Sequence, residues 1–182
     1  MSRPARPGQA GARTAEMLRV DHAGEYAAVA IYDAQARVFG RSAKTRALAR
    51  DMERMRDEEK AHLETFEAML RENNVRPTAL IGLWKLASTA LGAGTALLGE
   101  KAAHACTEAV ESVIEEHYAK QIAETEETDR DLCETFAKFR EDELRHHDHA
   151  IAQGAHDAPA YPVLTRLIKA GCKTAIKLSE KI

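Results

Sequence analysis

A chain of 182 residues is long enough for one domain with a substantial core and too short for two independent ones. Apolar residues make up 45% and charged residues 30%, with only ten Gly and five Pro, which favours long helices over a turn-rich sandwich or barrel. A net charge of -3, from 26 basic and 29 acidic residues, leaves no electrostatic footprint for DNA or RNA, so nucleic acid is excluded as the partner.

Cys106, Cys133 and Cys172 form no C-x-x-C pair and leave an odd count, so they read as helix-packing residues in a reducing compartment. Residues 1–15 carry Arg3, Arg6 and Arg13 without an acid. Pro4, Pro7, Gly8 and Gly11 break the amphipathic helix that a transit peptide needs, and the stretch reads as a disordered tail. Residues 16–182 read as a single domain.

Taken in chain order, the apolar pattern has helical period almost throughout. The first segment, about 15–40, has the stripe Leu18, His22, Glu25, Val29, Tyr32, Ala36, Phe39, and Gly40 stops it. The second, about 42–73, reads Leu48, Met52, Met55, Glu59, His62, Phe66, Met69 before "ENNVRP" ends it. Residues 80–99, "LIGLWKLASTALGAGTALLG", follow with Lys85 as their only charge. That length just reaches across a bilayer, but the lysine and the late run of small residues favour a segment at the membrane interface, lining an apolar cavity, or packed in the core.

The next segment, about 100–127, reads His104, Thr107, Glu111, Ile114, Tyr118, Ile122. Its successor, about 129–152, reads Leu132, Phe136, Phe139, Glu143, His146, Ala150. The last, 161–182, sets Leu164, Leu167, Ile168, Ala175 and Leu178 against Arg166, Lys169, Lys173, Lys177 and Lys181. This amphipathic basic helix suits either a bundle helix with a solvated face or contact with anionic lipid.

The halves repeat: a lone in-register Glu on one helix, then Glu-x-x-His on the next, at Glu25 with Glu59 and His62, and at Glu111 with Glu143 and His146. A buried carboxylate without a partner costs several kcal/mol, so four Glu and two His on core stripes need a common cause. Residues three apart share a helix face, so each Glu-x-x-His can ligate one ion, and the two lone Glu complete a dinuclear site in a four-helix bundle. Oxygen-rich ligation with one imidazole per metal suits iron or manganese, iron being preferred. His22 and His117 read either as groups orienting a ligand carboxylate or as satisfied core histidines, with Asp21 a candidate outer partner. His147, His149 and His156 do not share a face with Glu143 and read as a solvated helix end. "GAGTALLGEK" has Glu100 where a phosphate loop needs lysine.

The stretches "LRVDHAGEYAA", "DEEKAHLETF", "LGAGTALLG", "FREDELRHHDHA" and "AGCKTAIKLSE" resemble, in the right order, the signatures of the demethoxyubiquinone monooxygenases of ubiquinone biosynthesis. Departures are confined to Ala27, where members often have Gly, and Ser112, where a second acid is common. The resemblance covers about residues 16–182. It implies an all-α, ferritin-like four-helix bundle with two additional helices, one apolar and one C-terminal and amphipathic.

It also implies a di-iron monooxygenase that uses O2 to hydroxylate the ring of a polyprenyl demethoxyquinol, with NADH as ultimate reductant. The motifs place the iron ligands at Glu25, Glu59, His62, Glu111, Glu143 and His146, with Glu59 and Glu143 bridging. A peripheral membrane protein is implied, the short N-terminus without a convincing mitochondrial address favours the cytoplasmic side of a bacterial inner membrane, and a homo-oligomer or a substrate-delivering partner is compatible with both. The competing expectation is a ferritin-like iron-storage or peroxide-detoxifying protein on the same ligands. A non-enzymatic membrane-surface or partner-binding protein is the third.

Overall fold

The structure, a computed structural model, describes residues 11–182. It comprises α1 (Ala12–Phe39), α2 (Arg46–Glu72), α3 (Ile81–Leu97), α4 (Glu100–Thr125), α5 (Arg130–Ala152) and α6 (Tyr161–Ser179), with 3-10 turns at Ala43–Thr45 and Ala155–Asp157. No strand occurs among the described residues. Because α1 starts at Ala12, residues 12–15 are its first turn rather than tail, and residues 1–10 of the expected tail lie outside the described residues.

Local chemistry sets the boundaries. Gly40 closes α1, its N–H donating to the Ala36 carbonyl at 2.8 Å. Asn73 and Asn74, the latter left-handed at φ 53°, end α2. Gly99 turns the chain between α3 and α4 at φ 114°, where a side chain would strain. The Asp129 carboxylate accepts from Leu132 N–H at 3.2 Å and so caps α5.

Helices α1, α2, α4 and α5 form a ferritin-like bundle. α1 packs along α2, α4 along α5, and each half adds a third helix against its first, α3 on α1 and α6 on α4. The repeat legible as a helical hairpin is therefore a three-helix unit.

One end of the bundle is filled by Tyr32, Ala36, Phe39, Met52, Met55 and Ala103, the other by Leu18, Phe66, Leu70, Tyr118, Phe136 and Phe139. The candidate ligands lie between these two apolar plugs.

α3 sits close on α1 because Gly92 has no side chain: a Cβ there would run into the Ile31 backbone. No helix among the described residues is long and apolar enough to cross a membrane. α3 instead divides its apolar residues, with Trp84 and Leu91 turned inward and Leu83, Leu86 and Leu97 left 53–70% exposed. Lys85 is exposed, its ammonium 5.9 Å from the Tyr26 ring centre.

α6 shows a similar division. Leu164 and Ile168 pack inward, while Val163 and Leu167 stay exposed. Lys169 and Lys173 pair with Glu108 and Glu116, so part of its basic face serves the bundle, and Lys181 just beyond the helix pairs with Glu16.

Candidate metal centre

All six candidate ligands are buried, none more than 4% exposed. They fall into two overlapping groups, Glu25, Glu59, His62 and Glu143, and Glu59, Glu111, Glu143 and His146, whose potential ligand atoms lie within 4.8 Å of one another in each group. Glu59 and Glu143 belong to both. That sharing is the arrangement two bridging carboxylates require.

Nδ1 of His62 stands 3.6 Å from Glu25, 3.5 Å from Glu59 and 3.4 Å from Glu143. Nδ1 of His146 stands 2.9 Å from Glu59 and 3.5 Å from Glu143. None of these approaches aligns as a hydrogen bond: both oxygens of Glu59 and Glu143, and Nδ1 of both histidines, are buried without a partner among the protein atoms. Six orphaned donor atoms converging on one space is a cost that a cation removes. The residues therefore fit a pair of metal ions.

The far side of each imidazole is held across the bundle. His62 Nε2 donates to Asp142 at 3.0 Å, and His146 Nε2 donates to Glu58 at 2.7 Å. Burial would raise both outer carboxylates, but Arg145 and His62 bring Asp142 below its usual range, and His146 and Arg54 do so for Glu58. Ionised acceptors oblige Nε2 to carry the proton, which leaves Nδ1 as the nitrogen facing the carboxylates. The lone glutamates are steadied by tyrosines of the opposite half: Tyr32 donates to Glu111 at 2.6 Å, and Tyr118 donates to Glu25.

Burial, reinforced by the charges of Glu143 and Glu59, holds Glu25 and Glu111 well above the usual carboxylate range. It would also raise Glu59, but His146 and His62 bring that group down to about 2. Burial alone would lower the imidazoles; the facing carboxylates prevail, raising His146 to about 12 and His62 well above its ordinary value.

A family model described as "Ubiquinone biosynthesis protein COQ7" matches residues 12–179. The chain belongs to the COQ7 family. It is 46% identical over 170 residues to a Rattus norvegicus protein named NADPH-dependent 3-demethoxyubiquinone 3-hydroxylase, mitochondrial, covering 91% of this chain and 76% of that one. It is 47% identical over 165 residues to the 3-demethoxyubiquinol 3-hydroxylase of Rhodospirillum rubrum, with the same coverages. A Saccharomyces cerevisiae 5-demethoxyubiquinone hydroxylase, also named mitochondrial, is 39% identical over 181 residues, 91% of this chain and 77% of that one. Where a nucleotide is named, as in the rat protein, it is NADPH rather than the NADH that the resemblance implied.

In this COQ7 chain the structure brings together every residue of the six-ligand set. It treats the three flanking candidates differently. Asp21 accepts from His117 Nε2 and Gln121 Nε2, each at 3.0 Å, so His117 orients Asp21 and not a ligand. Nδ1 of His22 is buried and unpartnered. Glu58, Asp142 and the hydroxyls of Tyr32 and Tyr118 were missed by stripe reading. The signal was present: an acid precedes both Glu59 and Glu143, and a Tyr follows both Glu25 and Glu111 by seven residues.

Proposed function

We propose that this chain is an O2-dependent demethoxyubiquinol hydroxylase of ubiquinone biosynthesis. Glu25, Glu59, His62, Glu111, Glu143 and His146 would hold two irons, and NADH or NADPH would be the ultimate reductant. The observation that carries the reading is the convergence of the six orphaned ligand atoms beside an apolar cavity of about 500 Å³. Gly24, Ile31, Trp84, Leu91, Val110 and Ile168 line that cavity, and Gly24 and Val110 immediately precede Glu25 and Glu111.

Bound iron supplies the redox chemistry that lets O2 react. The chain's own residues do the rest. Glu58 and Asp142 fix the imidazole rings, Tyr32 and Tyr118 fix the carboxylates of Glu111 and Glu25, and the apolar wall keeps water from the reacting ring while accepting a prenylated quinol. Leu167, 67% exposed, also lines the cavity and marks where it meets the surface. With Leu83, Leu86 and Val163 it supports peripheral contact with a membrane from which the quinol enters. An iron-storage role on the same ligands has no use for this cavity.

The test is anaerobic iron loading of the protein beside its Glu59→Ala/Glu143→Ala variant, followed by turnover of demethoxyquinol with O2 and reduced nicotinamide nucleotide. Two irons per chain and hydroxylated product, both lost in the variant, are expected. Iron oxidation without hydroxylated product would favour storage or detoxification instead.

A further inference from the structure

The two halves agree at the centre and differ one step beyond it. Glu25, Tyr32 and Gln35 on α1 match Glu111, Tyr118 and Gln121 on α4 in spacing, and by the same spacing Leu18 matches His104 and Asp21 matches Thr107. On the α1 side the column that starts at Glu25 passes Asp21, whose carboxylate is taken up by His117 and Gln121, and ends at Leu18, 1% exposed within an apolar plug. On the α4 side His104 takes the place of that leucine, fully buried, with both ring nitrogens unpartnered, and the Thr107 hydroxyl below it is unpartnered too.

An imidazole and a hydroxyl at successive turns of one helix face, leading to Glu111 at the next, form a polar column through the end that Tyr32, Phe39, Met52 and Met55 fill. Its outer end reaches solvent. The His149 ring centre lies 6.0 Å from that of His104, and His149 Nε2 donates to Asp51 at 2.6 Å, their side chains 29% and 26% exposed.

We propose that His104 and Thr107, with the water such orphaned groups bind, carry protons from the His149–Asp51 pair at the bundle end to the Glu111 side of the metal centre. The proposal rests on the hydroxylase reading. Inserting one atom of O2 into a C–H bond releases the other as water and takes up two electrons and two protons. Reduced nicotinamide nucleotide supplies both electrons and one proton, and solvent supplies the other. That proton has no route through the apolar cavity. Through His104 it enters at one ring nitrogen as another leaves from the opposite one, and a turn of the ring restores the start. Burial, with His149 next, pushes His104 down to about 4, so the ring rests neutral, the form that accepts at one nitrogen and donates at the other.

The experiment uses the iron-loaded full chain and His104→Leu, which installs the residue the other half carries at this place. Expected are two irons per chain and an unchanged melting temperature, a fall in kcat of about tenfold or more with KM unchanged, and a larger solvent deuterium isotope effect. Less product should form per nicotinamide nucleotide consumed. In His104→Gly, added imidazole should restore turnover. Wild-type kcat and isotope effect in His104→Leu would overturn the relay, as would a loss of kcat that follows iron content or stability and that imidazole does not rescue in His104→Gly. A wild-type protein that binds two irons yet forms no hydroxylated product would instead remove the reading on which the relay stands.

Discussion

Each imidazole in the centre belongs to one half of the chain and is held by a carboxylate of the other, His62 by Asp142 and His146 by Glu58. Outer partners of this kind tune metal affinity by about tenfold to a hundredfold, so Glu58→Gln/Asp142→Asn should keep the fold and weaken iron binding by that order, as measured by competition with a chelator. Glu59, His62, Glu143 and His146 are legible in the sequence because charged residues stand out on an apolar line. Glu58 and Asp142 lie one position off it, partly exposed, where an acid reads as a solvated residue. Only the fold shows what they face.

The same residues set a pH dependence. In the metal-free protein Glu25 and Glu111 are held above their unfolded pKa, so they favour the folded state less as pH rises past the carboxylate range. His62 and His146 are also raised, and their contribution is complete below about pH 6.5 and declines above it. Both trends have one sign; His104, lowered to about 4, opposes them, but it is one group against four, so the empty protein should melt lower at about pH 8 than at about pH 5.5. Ligation requires the deprotonated forms, so iron should bind more tightly as pH rises and release protons on binding. Melting curves with and without iron at both pH values, and a pH indicator in weak buffer, check this.

At the scale of elements, the apolar segment 80–99 left several readings open because its composition does not say which face meets what. α3 turned out to serve two surfaces at once, a wall of the cavity and an exposed row of leucines. Gly92 is the residue that lets it sit on α1, and Gly92→Ala should destabilise the fold by ~1–3 kcal/mol through forced separation from Ile31, read as a lower melting temperature. Leu86 and Leu167, 70% and 67% exposed, stand on α3 and α6. Replacing both with Ser should weaken binding to lipid vesicles by about tenfold or more, at unchanged iron content, if each leucine inserts. For the cavity, Ala27→Phe should lower kcat/KM for a prenylated quinol by about tenfold without releasing iron.

At the scale of the molecule, the chain is two three-helix units facing each other across a shared pair of carboxylates. The sequence showed the hairpin part of this repeat because the ligands mark it. It did not show that α3 and α6 correspond, since neither carries a ligand and each matches the other only in where it packs. The cavity arises from the same arrangement, bounded by α1 and α3 from one unit and by α4 and α6 from the other.

Every ligand has a counterpart in the other unit, while Leu18 and His104 occupy matching places with opposite chemistry. A duplicated chain of this kind is a dimer whose subunits are tied together, and the tie removes the symmetry that two identical copies would impose. A mutation in one copy no longer appears in the other. The metal ligands hold the two copies alike at the centre, and the positions around it are free to specialise, one column ending in a leucine and the other in an imidazole.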